Sequence, residues 1–507
     1  MKRRDFLKAT AASAVAAGAG IAGCSNNEQS NGKDDNVASK SGNNSKQDPV
    51  TEADDCCRTY ADVKAAMNSP RETLAYVPVI YAGTHSTIEH PDVLATIDVD
   101  PSSKTYGKIV NKLEMPIIGD ELHHFGWNSC SSCHGVEGKH RRFIVLPGIA
   151  SSRIHIVDTE DPRKPKMHKV IEPKEVKKVG LSAPHTVHCL ADGNIMISCL
   201  GDAEGNAPGG FLLMNEKFEV TGRWEKDATG MNFNYDYWYQ PRHNVMVSSE
   251  WGAPNTVSKG FHLEDVKAGK YGRHLHFWDW KERTINQSID LGETGMIPLE
   301  VRFHHNPDSA NGFVGAALSS TMWHFNKKDS ADKWAADKVI SVDSVPDVEG
   351  WPFPVPGLIT DLVLSMDDKW LYFSNWLHGD LRQYDVSDPA NPKLTGQVWL
   401  GGVIGHKPDF KPRMGKPLDG GPQMLQLSLD GKRLYVTNSL YSPWDNQFYP
   451  GIKENGSYML QLDCDTEKGG MTVNEDFYIN FDSQPAGPAR AHEMRFPGGD
   501  CTSDIFV

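Results

Sequence analysis

Ile359-Thr-Asp-Leu-Val-Leu-Ser-Met-Asp-Asp-Lys-Trp-Leu-Tyr-Phe373 and Met424-Leu-Gln-Leu-Ser-Leu-Asp-Gly-Lys-Arg-Leu-Tyr-Val436 share one frame. Each is an apolar run, a Ser-x-Asp-x-Lys turn, then Leu-Tyr and an aromatic or aliphatic residue. A weaker copy runs from His185 through Ala191-Asp192-Gly193 to Ile197. Short β-type runs joined by tight turns read as hairpins. A hairpin unit that recurs and cannot bury its own faces predicts a β-propeller. Working outward, the units fall near 74–115, 121–170, 185–224, 233–291, 299–343, 358–400 and 422–481, which makes seven blades. The segment His492 to Val507 has strand character and no partner of its own, so it is expected in the first blade, closing the ring. The fold class is therefore all-β. An open β-sandwich fits neither the repeat period nor the length.

The N-terminus carries an address. Met1-Lys-Arg-Arg-Asp-Phe-Leu-Lys8 is followed by an alanine-rich apolar run from Ala9 to Ala22. This run is shorter than the ~20 residues a spanning helix needs, and its basic start and small-residue end make it an export signal. Arg3-Arg4 before Phe6-Leu7-Lys8 is the twin-arginine pattern of folded cargo. Ile21-Ala22-Gly23-Cys24 reads as a lipoprotein cleavage box, with Cys24 acylated so that two chains hold the protein on a membrane. An ordinary signal with a chance cysteine is the alternative. The expected product is a periplasmic or cell-surface lipoprotein. From Ser25 to about Asp55 the chain is Asn, Ser, Lys, Asp and Gly, a tether with little to bury. The domain reading is thus 1–23 signal, 24–70 tether and lead-in, and 71–507 propeller.

Composition narrows the partners. Hydrophobic residues at 39% and charged ones at 23% suit a soluble globular body. Residues 1–23 hold Lys2, Arg3, Arg4 and Lys8 against Asp5, so their removal takes the formal charge from −14 to −17. Such an acidic chain argues against nucleic acid. Neither a Gly-rich phosphate loop nor a Gly-x-Ser-x-Gly elbow is present, so a nucleotide enzyme and a serine hydrolase are unsupported.

Propeller geometry sorts the histidines. Innermost strands start at one mouth of the channel, and loops between second and third strands return to it. His123, His124, His185 and His492 fall at such starts, and His378 falls in such a loop. All five are expected at one mouth, with His243 and His305 in hairpins at the other end. Converging imidazoles predict a copper, zinc, iron or nickel site. Asp236, Glu300 and Asp361 occupy matching positions in other blades and are expected to orient the rings. Hydrogen-bonded histidines plugging the channel are the alternative.

Cys130-Ser-Ser-Cys133 follows His123-His124 closely. Such a pair is a redox disulfide, a structural disulfide or half of a zinc site. Its place predicts sulfurs near the metal, and so a part for Cys130 and Cys133 in turnover. Cys189, Cys199 and Cys464 sit in strand patterns and are expected to be buried.

Several long strings carry a resemblance. Asp120-Glu-Leu-His-His-Phe-Gly-Trp-Asn-Ser-Cys-Ser-Ser-Cys133, Tyr239-Gln-Pro-Arg-His-Asn244, Glu250-Trp-Gly-Ala-Pro-Asn255, Phe373-Ser-Asn-Trp-Leu-His-Gly-Asp-Leu-Arg-Gln-Tyr-Asp385 and Ala491-His-Glu-Met-Arg-Phe-Pro-Gly-Gly-Asp-Cys501 closely resemble the selenium-binding protein family. The likeness runs from about Cys56 to Val507. It implies a copper enzyme of the exported methanethiol oxidase type, converting methanethiol, O2 and water to formaldehyde, hydrogen sulfide and hydrogen peroxide. Trp127 and Trp251 are expected to hold the methyl group at the channel mouth. Two departures stand out. Tyr106-Gly107 replaces the family's selenium-binding Tyr-Cys, and its N-terminal Cys-x-x-Cys is reduced to Cys56-Cys57. A selenium, thiol or copper carrier without turnover, and a scaffold with a protein-binding face, are the competing classes.

Overall fold

The computed structural model describes residues 58–81, 85–327, 333–412, 418–483 and 485–507. The signal, Cys24, Cys56-Cys57 and most of the tether lie outside the described residues. Seven four-stranded antiparallel sheets form the ring. Six use four consecutive strands. The first blade holds Leu74–Ile80, Val93–Asp98 and Lys108–Glu114, and is completed by Arg490–Ala491 against Leu74–Ile80.

The C-terminal segment therefore closes the ring, through a strand that begins just before the expected His492. A further bridge joins Tyr76 to Arg495. Beyond it the chain turns away, because Asp500 accepts the backbone N–H of Phe496, Thr502 and Ser503. The tail then runs under the hairpin end, where the carbonyl of Phe506 accepts from Gln240 and Asp504 pairs with Arg141. The lead-in packs there too. Tyr60 donates its hydroxyl to the Gly498 carbonyl and its N–H to Ser131.

The repeated frame has a local cause. In the hairpin joining Ile359–Leu364 to Trp370–Asn375, Ser365 Oγ accepts the N–H of Trp370 and donates to Asp367. Ser428 does the same with Arg433 and Asp430. The turn needs a left-handed residue, supplied by Asp368 (φ 57°) and Gly431 (φ 73°).

Two further repeats aim side chains at the axis. A Ser or Thr in or just after one blade's second strand bonds the chain in or beside the innermost strand of the next. Ser198 reaches the Tyr235 carbonyl at 2.6 Å, Ser249 reaches Leu299 at 2.5 Å, Ser374 reaches Gln423 at 2.7 Å, and Thr437 reaches His492. Register shifts also recur at Pro184/Val187, Pro298/Val301 and Ile359/Asp361. Each follows a left-handed residue, namely Ala183, Ile297 or Leu358. Such irregularities bend a strand and redirect its side chains. His185, Glu300 and Thr360 lie inside them.

Candidate metal centre

Four imidazoles meet at the axis. His123 and His124 precede Gly126–Trp127 of the second blade, His185 lies in Ser182–Cys189 of the third, and His492 follows Arg490–Ala491 of the first. His123 stacks on His492 with centroids 3.8 Å apart, and His124 lies 4.1 Å from His185. Ring nitrogens of His123, His124 and His492 fall within 4.8 Å of one another. The His185 ring is 5.1 Å from that of His123.

All four are buried, and each keeps a nitrogen without a hydrogen-bond partner. These are His123 Nδ1, His124 Nε2, His185 Nε2 and His492 Nε2. Nδ1 of His492 lies 2.7 Å from the Ser439 carbonyl and must donate to it, so Nε2 presents a lone pair. Burial pushes His123, His124 and His185 well below the ordinary imidazole range, and His492 down to about 4. Neutral rings with unpartnered nitrogens fit a first-row transition metal. The same orphaned atoms disfavour a channel merely plugged by satisfied histidines.

Acids and arginines lie against the rings. Glu300 Oε1 is 3.6 Å from His124 Nε2, and Glu493 Oε1 is 3.4 Å from His124 Nδ1. Arg302 bonds Asp236 and Glu300 at 2.8 Å each and lies 3.8 Å from Asp361. Burial raises the Glu300 carboxyl well above its ordinary value and Asp361 to about 7, whereas Arg302 and the Val301 N–H hold Asp236 low. Of the three expected carboxylates, Glu300 faces an imidazole. Asp236 and Asp361 act through Arg302 and through backbone N–H groups of Val301 and of Leu362 and Leu425.

A small apolar cavity of about 10 Å³ adjoins His123. Trp251, Tyr235, Leu299, Ala317, Leu440 and Trp444 wall it. That is room for about one water or one methyl group.

Other sequence expectations land elsewhere. His378 stands apart from the four rings, with its Nε2 2.9 Å from the Val355 carbonyl. Its loop does return to the expected face, but the side chain is spent on that contact. Trp127 does not line the mouth. It packs edge-on against Tyr76 between the first two blades, because the short strand Gly126–Trp127 turns it outward. Cys130 and Cys133 are not beside the imidazoles. They touch Cys189, four residues beyond His185 on an extended strand, so about 13 Å separates the two groups along the channel at ~3.3 Å per residue. Gly107 occupies a surface turn of the first blade with φ +69°. His305 takes its expected place at the hairpin end, 3.3 Å from the Leu364 carbonyl, and His243 lies in the turn Pro241–His243.

Sequence reasoning missed Arg302, Glu493, Arg495 and Tyr235. Arg495 pairs with Glu493 and donates to the Phe125 carbonyl, while the Phe125 N–H bonds Glu493. Glu300 and Arg302, two apart in an otherwise apolar strand, share one face, and that was the available signal.

Residues 54–507 match the profile described as 56kDa selenium binding protein (SBP56). The chain belongs to this family. Selenium-binding protein 2 of Arabidopsis thaliana is 54% identical, over 89% of this chain and 96% of that one. A protein named methanethiol oxidase from Homo sapiens is 53% identical, over 90% of this chain and 100% of its own length. Among solved structures, a hypothetical selenium-binding protein from Sulfolobus tokodaii is 45% identical, with a TM-score of 0.82, covering 88% of this chain and 98% of that one. In this SBP56 chain the imidazole cluster and the apolar cavity are built from strings spread along the matched region.

Proposed function

We propose that this protein is a copper-dependent methanethiol oxidase, releasing formaldehyde, hydrogen sulfide and hydrogen peroxide from methanethiol, O2 and water. One observation carries the reading: a cluster of four neutral, partner-poor imidazoles meets an apolar cavity of one-methyl size at His123. The relatives named methanethiol oxidase support the same substrate.

His123, His124 and His492, with His185 beside them, would hold the copper. When bound, copper supplies Lewis acidity that favours the thiolate and a one-electron couple with O2. The chain does the rest. Trp251, Tyr235 and Trp444 confine the methyl group and exclude water. Ser439 fixes the His492 tautomer through its carbonyl. Glu300, raised by burial, presents one carboxyl oxygen to His124 while the other accepts from Arg302. Arg302 and Arg495 offset the remaining carboxylates. We further infer export by the twin-arginine route and anchoring through a lipid on Cys24.

The test is metal analysis of the purified mature protein, followed by oxygen uptake with methanethiol. Stoichiometric copper with methanethiol-dependent uptake is the expected result. Bound copper without uptake would favour a carrier, and absence of copper would overturn the cofactor.

A further inference from the structure

Three thiols meet at the hairpin end of the channel. Cys130 Sγ and Cys189 Sγ lie 2.7 Å apart, and Cys133, which lies close enough to Cys189 to perturb it, donates its thiol to the Leu190 carbonyl at 3.2 Å. Ser132 Oγ touches all three, at 3.3 Å from Cys130, 3.8 Å from Cys133 and 3.7 Å from Cys189. Cys189 is thus the middle sulfur, with one neighbour on each side. Cys130 and Cys133 come from a single 3₁₀ turn, Ser131–Cys133 with its cap, whereas Cys189 ends a strand of the next blade. All three are buried. Ser131 and Ser132 line a cavity of about 560 Å³, bounded also by His134, Arg242 and Phe506. Ser132 thus touches both the cavity and all three sulfurs.

We propose that Cys130, Cys133 and Cys189 form a hydroperoxide-driven thiol relay that ends in a Cys130–Cys189 disulfide between the second and third blades. Cys133 is the first thiol to react. It touches Ser132, which lines the cavity, and donates to the Leu190 carbonyl at 3.2 Å; its surroundings, Cys189 foremost, lower it to about 6, whereas burial raises Cys189. The Cys133 thiolate attacks a peroxide oxygen. An S–O bond forms, the O–O bond breaks, and hydroxide leaves a sulfenic acid. Cys189 then attacks that sulfur, forming an S–S bond and breaking the S–O bond, and its proton leaves with the hydroxyl as water. Cys130 attacks the Cys189 sulfur, and Cys133 departs as thiolate. The proton of Cys130 goes to the earlier hydroxide. The sum is two thiols and one hydrogen peroxide giving one disulfide and two waters.

The middle position of Cys189 makes this outcome differ from a Cys130–Cys133 bridge. A bond across 59 positions closes a far longer loop, which the chain-entropy account makes more stabilising. The relay requires added peroxide and no copper, so it stands apart from the oxidase reading.

The test uses the full mature chain. The reduced protein is exposed to one equivalent of hydrogen peroxide, its free thiols are blocked with N-ethylmaleimide, and it is mapped by non-reducing mass spectrometry with fragmentation. A Cys130–Cys189 cross-link with blocked Cys133 is expected. Cys133→Ser should form that link at least tenfold more slowly. Cys189→Ser should give a sulfenic acid on Cys133 that dimedone traps. A wild-type Cys130–Cys133 bridge with free Cys189, or three fully blocked thiols, would overturn the proposal without reliance on any variant. An unchanged rate in Cys133→Ser would remove the relay.

Discussion

His123 and His492 stack with ring centroids 3.8 Å apart and planes 16° from parallel, one from the second blade and one from the segment that closes the first. Closing the ring therefore also completes the imidazole cluster. His492 is anchored on both sides by the seventh blade, its Nδ1 by the Ser439 carbonyl and its own carbonyl by the Thr437 hydroxyl.

His492→Ala should consequently lower copper content and methanethiol oxidation together. Loss of a ligand is expected to weaken metal binding by about 100-fold or more, beyond the 10–100-fold typical of outer partners. His378→Ala should keep its metal, because that ring is spent on Val355. Elemental analysis of both variants, alongside oxygen uptake, distinguishes them. Equal copper loss would contradict the separation of His378 from the cluster.

Glu250 sets the acid limb of stability. Its carboxylate accepts from the N–H groups of Asn232, Phe233, Arg273 and His274 and from the rings of His274 and His276. Burial alone would raise it, but the side-chain bonds of His274 and His276 outweigh burial and hold it well below its ordinary 4.5. A depressed carboxylate stabilises the fold above its unfolded value, and that contribution fades as pH falls below about 4.5. His274, raised by the same carboxylate, works in the other sense, losing its contribution as pH climbs past 6.5. Glu250→Gln should cost about 3 kcal/mol or more at pH 7, the scale of a broken buried pair. Its denaturant midpoint should also change less between pH 5 and pH 3 than that of the unsubstituted chain. A parallel pH dependence would remove this role.

How far the sequence carried the reading follows from period. Ser365 and Ser428 stand in matching hairpins, so the repeat and the count of seven were legible. Histidines at the starts of innermost strands were legible for the same reason, since strand direction fixes which end they occupy. Distance from the axis was not. His378 lies in a loop on the expected face, and only its bond to Val355 reveals where the ring goes. Linear closeness also misled at Cys130, because Gly126–Trp127 runs down the channel and carries the thiols away from His124. The Ser198, Ser249, Ser374 and Thr437 contacts repeat plainly in space, yet in sequence they show only as a hydroxyl residue in or just after a strand.

Export makes a separate prediction, from residues outside the described structure. Cys24→Ala leaves Arg3-Arg4 intact, so the variant should be exported but recovered in the soluble fraction. Arg3→Lys with Arg4→Lys should hold the unprocessed chain in the cytoplasm. Fractionation with immunoblotting reads both. Membrane recovery of the Cys24 variant would reject lipid anchoring, and normal processing of the double variant would reject the twin-arginine route.

Substrate size should be set by Trp251. Its indole stands edge-on to Tyr235 at 5.5 Å and 5.6 Å from Trp444, closing the apolar cavity beside His123. A space of about 10 Å³ admits a methyl group and opposes a longer chain. Trp251→Ala opens it without touching an imidazole. One methylene in a hydrophobic pocket is worth about 1–3 kcal/mol, or roughly 10–200-fold in discrimination. The ratio of kcat/KM for ethanethiol to that for methanethiol should therefore rise at least tenfold in Trp251→Ala, with copper content unchanged. Ala317→Val, which enlarges another lining side chain of the cavity, should lower methanethiol turnover and leave the metal in place. An unaltered ratio in the first variant, with copper intact, would place the substrate's carbon elsewhere in the channel.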